Sequence, residues 1–182
     1  MKKFLIALVA VLGFASISHA QGFTIRLGPT VVFGGGGSAI GFDAELNARN
    51  LARISPDLSL GVYGGASVFF AGGAVVSINA GPTINFGFNG GQGNAFAGIV
   101  LGLAFGGGGS AFDLGFITGV DYLIAPNINL FGRLGTNFLN GFGGQFVIGA
   151  DYAFSSSLAA YLKLGANFGG GFGLGGGLKF AL

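Results

Sequence analysis

Asp43 and Glu45 stand two residues apart, a spacing that puts two carboxyl groups on one face of a β-strand. Paired carboxylates can share acid–base work or hold a cation. Nothing in the surrounding sequence supplies a substrate cleft, and buried charges need partners. The favoured role for the pair is therefore a salt-bridge network with Arg26 on the neighbouring segment. Other chemistry is limited by inventory. The chain contains no cysteine, and its one histidine, His19, lies in a leader expected to be removed. Ser–His–Asp and Cys–His arrangements and histidine-ligated metal sites cannot then be built. We expect no enzymatic activity and no cofactor. The string Gly171-Phe172-Gly173-Leu174-Gly175-Gly176 fits G-x-G-x-x-G. No strand–turn–helix pattern surrounds it, and in a chain with 40 glycines it carries no nucleotide-binding signal.

The leader is residues 1–20. Met1-Lys2-Lys3 is a positive start, Phe4 to Phe14 is an apolar run, and Ser18-His19-Ala20 is a small-x-small cleavage site before Gln21. The run is shorter than the ~20 residues that a spanning helix needs. We expect a cleaved signal peptide followed by one domain, 21–182. Without Lys2 and Lys3 the mature chain holds six Lys/Arg against six Asp/Glu, so its formal charge is zero. No basic cluster suggests a nucleic-acid partner. Arg49 and Arg53 come closest, and we read them as a solvated turn.

The elements that must position the charges show in the alternation. From Ala74 to Phe88 the even positions are apolar or small (Val76, Ile78, Ile84, Phe86), while the odd ones include Ser77, Asn79, Thr83 and Asn85. That is the two-residue period of a strand. Carried along the chain, it places Arg26, Asp43, Glu45, Asp113, Asp121, Arg133, Asp151, Lys163 and Lys179 all on the polar face. Tyr63, Asn79, Asn85, Asn137, Tyr161 and Asn167 join them, with many glycines. The apolar face would carry Phe23, Ile25, Leu27, Val31 and Phe33 in the first strand and residues such as Leu101, Leu103, Phe116, Leu130, Ile148 and Leu164 later.

Glycine clusters, prolines and asparagines divide the sequence into ten strands: 22–33, 38–49, 58–70, 74–88, 95–105, 111–123, 128–139, 145–154, 158–168 and 172–182. Their lengths suit tilted membrane-spanning strands. In hydrocarbon an open sheet edge leaves unpaired backbone groups, so such a sheet must close into a barrel. The fold class is all-β: a transmembrane, antiparallel, up-and-down β-barrel. An even strand number puts both termini on one side, the periplasmic one for an exported chain. Phe33-Gly34-Gly35-Gly36-Gly37-Ser38-Ala39 recurs as Phe105-Gly106-Gly107-Gly108-Gly109-Ser110-Ala111, four strands later and so at the same rim. Gly28-Pro29-Thr30 and Gly81-Pro82-Thr83 are a second echo. We read their prolines as local bulges, which leaves eight strands as an alternative to ten.

The mature sequence resembles the bacterial outer-membrane β-barrel proteins along its whole length. Its most specific residues are Gly177-Leu178-Lys179-Phe180-Ala181-Leu182, in which Gly177, Phe180 and Leu182 match the terminal-strand signature of that family. Gly175 stands where the family has a polar residue, and Leu182 where it usually has Phe. The resemblance implies an outer-membrane location in a diderm bacterium, outer-membrane lipid around the barrel, and insertion by the barrel-assembly machinery. Proteases and acyltransferases among small barrels use a histidine that this mature chain lacks.

Inside such a wall, five acids face four bases (Arg26, Arg133, Lys163 and Lys179). Ten strands give a backbone radius of roughly 10 Å. Either water fills the space, making a narrow, weakly selective pore for small solutes, or Arg133, Lys163, Tyr63, Tyr161 and Phe131 cross it and leave a structural barrel. The sequence supports both. An alternative of another class is a secreted, glycine-rich, self-assembling β protein that never inserts.

Overall fold

The computed structural model describes residues 22–34, 37–106, 109–139 and 143–182. The expected leader and the tips of three glycine connections lie outside the described residues. Ten strands form one closed antiparallel barrel. They are β1 (Phe23–Gly34), β2 (Gly37–Arg53), β3 (Leu58–Phe70), β4 (Ala74–Phe88), β5 (Gly93–Gly106), β6 (Gly109–Ala125), β7 (Ile128–Asn137), β8 (Gly143–Ala153), β9 (Leu158–Asn167) and β10 (Phe172–Ala181). Each pairs with its neighbours in sequence, and β1 pairs with β10 to close the ring. Closure leaves no strand edge among the ten, which answers the choice between ten and eight.

The wall is built by alternation. Along β5, Ile99, Leu101 and Leu103 face outward, between inward Val100, Gly102 and Ala104. Leu101 is 54% exposed, as are its apolar counterparts on every other strand to similar degree, and such a surface has no place in water. A charge at that depth tests the environment. Leu101→Arg is expected to destabilise the barrel by about 2–4 kcal/mol in lipid vesicles, measured by urea unfolding. A change within experimental error would mean that this face does not meet hydrocarbon.

Three sequence expectations need correction. Pro29 and Pro82 sit in regular strands, not in bulges. The β1–β10 ladder skips the two pairs around Pro29 but keeps register from Leu27↔Leu178 to Thr30↔Gly175. The β4–β5 ladder does the same around Pro82, from Ala80↔Leu101 to Thr83↔Gly98. Proline cannot donate, yet no residue is inserted, because the preceding glycines let the next strand come close. A Cβ on Gly28 would meet the Gly176 carbonyl, and one on Gly81 the Ile99 carbonyl. The irregular stretches lie elsewhere, between Ala48 and Ala52 in β2 and between Leu123 and Ala125 in β6. Phe23, expected to face outward, is buried. It pairs with Ala48, also buried, where the β2 irregularity begins and strict alternation ends.

Candidate functional site: a charge cluster across the lumen

The inward charges fall into a large cluster near the end that carries both termini and a few separate groups beyond it. Arg26, on β1, is 3% exposed. Its Nε and Nη2 donate to Asp151 Oδ1 and Oδ2 at 3.0 and 2.9 Å, its Nη1 to Glu45 Oε1 at 2.6 Å, and its Nη2 to Asp121 Oδ1 at 3.2 Å. Arg133, on β7, donates through Nη2 to both Asp121 oxygens at 3.1 and 3.2 Å and to Glu45 Oε1 at 3.1 Å. Its Nη1 reaches the carbonyls of Val120 and Gly132 at 3.1 and 2.9 Å. Only a guanidinium offers this many donors in one plane, so arginine rather than lysine holds the centre.

Lys179 Nζ and Asn129 Nδ2 complete the shell of Asp151, donating to Oδ2 at 2.8 and 2.9 Å. Aromatic rings support the two guanidiniums. Arg26 lies 4.1 Å from the Phe131 ring centre, and Arg133 5.0 Å from that of Phe96. Tyr63 stacks on Phe96 at 5.9 Å, and Ile117 packs in the same buried cluster. Tyr161 is buried too, with Lys163 Nζ 6.0 Å from its ring centre.

The ring positions of these partners matter most. In the order of the closed barrel, β1 and β6 are five strands apart, and so are β2 and β7. Arg26–Asp121 and Glu45–Arg133 therefore join diametrically opposite walls. Two crossed ion pairs span the lumen at one level.

The other predicted positions do different things. Asp43 does not meet Arg26. It pairs with Lys163 Nζ at 2.7 Å, three strands away around the ring, so the two carboxylates split between separate partners. Asp113 stands near the opposite end and accepts from Asn137 Nδ2 at 2.8 Å and from the backbone N–H groups of Leu114, Phe138 and Leu139 at 2.8, 3.3 and 3.0 Å. It fixes the start of the β7–β8 connection. Of the terminal residues, Phe180 and Leu182 face outward, and Leu182 N–H donates to the Phe23 carbonyl at 2.9 Å. Gly177 is where β10 approaches the Leu27 carbonyl of β1 too closely for a side chain.

Sequence reasoning missed Arg49. It is not in a solvated turn: β2 continues through it, and its Nη2 donates to Asp121 Oδ2. Its odd position, shared with Asp43, Glu45 and Asn47, was the available signal. Phe96 was missed likewise, although it shares a face with Asn94, Gly98 and Gly102.

No protein-family model matches the chain, and no curated protein matches it. Solved structures do. A KdgM porin in complex with disordered oligogalacturonate superimposes with a TM-score of 0.53 at 8% identity, covering 88% of this chain and 99% of that one. The chain has the outer-membrane β-barrel fold. Outer membrane phospholipase A from Escherichia coli gives 0.52 at 11% identity, over 86% of this chain and 92% of that one. One relative of this fold is a porin and the other an enzyme, so the fold sets the wall and the lumen-facing residues must carry the function.

Proposed function

We propose that this chain is a non-enzymatic barrel of the outer membrane, exported by a cleaved signal peptide and inserted by the barrel-assembly machinery through Gly177, Phe180 and Leu182. It acts as a structural component with a sealed lumen rather than as a passive pore. The observation that carries this reading is the pair of ion bridges joining opposite walls, Arg26–Asp121 and Glu45–Arg133, packed on Phe131 and Phe96. At that level Arg26, Asp121, Arg133, Asp151, Phe96 and Phe131 are all buried, at 3–5% exposure, so the crossing is packed on its sides. The closed ring leaves no free edge among the described strands, which opposes the self-assembling alternative, since fibre growth needs one. No histidine from Gln21 onward is available for the chemistry that an enzyme of this fold would need.

The test is planar-bilayer conductance of refolded protein. The expected record is silent across the usual voltage range. Stepwise, reproducible channel openings would overturn the sealed lumen and restore the pore.

A further inference from the structure

Beyond the charge cluster the lumen is not filled. Two adjoining cavities of ≈ 440 and ≈ 290 Å³ occupy it. The first reaches Ala104 and Ala111, beside the glycine connection between β5 and β6, at the end away from the termini. The second touches Glu45 and Arg133, so it abuts the cluster. Asn79, Gln145 and Asn167 line both. Together they form a cup of the size that small-molecule sites have, roughly 300–1,000 Å³.

The charges of this cup are already committed. Lys163 holds Asp43 at 2.7 Å, and Arg133 holds Glu45 at 3.1 Å. Asp113 accepts four hydrogen bonds from its own surroundings. The unneutralised charge of the cup is the Asp113 carboxylate, which repels an anion and whose oxygens are already taken up by these four donors. What remains is neutral and bifunctional. Asn79 projects from β4 and Asn167 from β9, strands five apart on the ring and therefore facing each other. Gln145 is the register partner of Asn167 on β8. A carboxamide offers a donor and an acceptor side by side, the match for two adjacent hydroxyl groups. Gly102 and Gly135 keep the space between these walls clear, while Gly65 makes room for the Asn79 carboxamide, whose Oδ1 lies buried against it without a hydrogen-bond partner, so that the exposed donor–acceptor pairs are those of Gln145 and Asn167.

We infer that the cup binds a small uncharged polyhydroxylated solute of monosaccharide or disaccharide size, held by Gln145 and Asn167 on one wall and facing Asn79 on the other.

Equilibrium binding to the full-length protein tests this, by ligand-observed NMR in amine-oxide micelles, which carry no sugar headgroup. The probes are glucose, maltose and glucuronate, the last being the glucose ring with one carboxylate. Saturable binding is expected for a neutral sugar and none for glucuronate. Gly102→Leu should abolish binding by filling the cup. Its Cβ would meet Asp113 Cβ at 3.7 Å and Asn79 Cβ at 3.9 Å, ordinary contacts that require no backbone movement. Asn167→Ala should weaken binding about tenfold by removing one hydrogen-bonding head. Heat-modifiable gel mobility reports that each variant is folded, and Asn167→Ala carries the test if Gly102→Leu is not. The inference is overturned if neither neutral sugar saturates, if glucuronate binds as tightly as glucose, or if the folded variants bind as the parent does. Binding is read without current, so a conducting barrel would overturn the sealed lumen and leave this test intact.

Discussion

Arg26→Met is expected to destabilise the barrel by about 3–5 kcal/mol and to make a silent barrel conduct. Methionine keeps the apolar stem out to about the Nε position and removes the guanidinium, so the charge, its hydrogen bonds and its stacking on Phe131 are lost together. Three carboxylates, Glu45, Asp121 and Asp151, share this one guanidinium. Removing one partner of a buried ionic network leaves the remaining charges with their desolvation unpaid, which is worse than never having buried them. Two relaxations are open: the barrel unfolds more readily, or water enters to solvate the carboxylates. Water entering there breaches the seal, since the Arg26–Asp121 bridge crosses the whole lumen. Urea unfolding in micelles reads the first effect and bilayer current the second. Lys163→Met is the comparison. Its pair with Asp43 is half-buried and lies off the crossing, so its effect should stay within about 1 kcal/mol with the bilayer silent. An Arg26→Met barrel as stable and as silent as the parent would show that Arg133 alone suffices for the seal.

The second large effect is expected at Gly81. A Cβ there would collide with the carbonyl of Ile99 and the Cα of Val100, backbone atoms of β5 that cannot swing aside. The β4–β5 ladder already lacks two pairs beside Pro82, so this short stretch is held by close approach. Gly81→Val must push β5 away from β4 and so strain the flanking pairs Ala80↔Leu101 and Thr83↔Gly98. We expect a loss of about 3 kcal/mol or more, seen as a barrel that fails to show the compact, heat-modifiable band. Gly73→Val is the control, because a Cβ there meets nothing, and it should fall within about 0.5 kcal/mol of the parent. Equal behaviour of the two variants would refute the close-approach account of the Gly-Pro-Thr segments.

Much of the wall was legible in the sequence because alternation is a local property. A strand turns its side chains to opposite faces whatever it pairs with, so parity alone separates Leu101 from Gly102. The same rule reaches its limit at irregular stretches. Between Ala48 and Ala52 the β2–β3 ladder shifts as β2 runs on through Arg49, and Phe23 is buried beside Ala48, where that shift begins. The prolines misled for the opposite reason. Proline signals a missing donor, but the sequence does not show that an adjacent glycine will let the neighbouring strand close the gap without an inserted residue.

Local alternation set the strands, their two faces and the inward side of every charge in the cluster except Arg49. It could not say which charges meet. Asp43 and Glu45 are neighbours on one face, yet one joins Lys163 and the other Arg26 and Arg133. Those partners are chosen by ring closure, strand tilt and stagger, which together decide which side chains share a level across the lumen. Arg26 is 95 residues from Asp121 in the chain, and only the closed ring brings β1 opposite β6. Whether an inward charge lines a passage or blocks it is therefore a property of the circle, not of the strand.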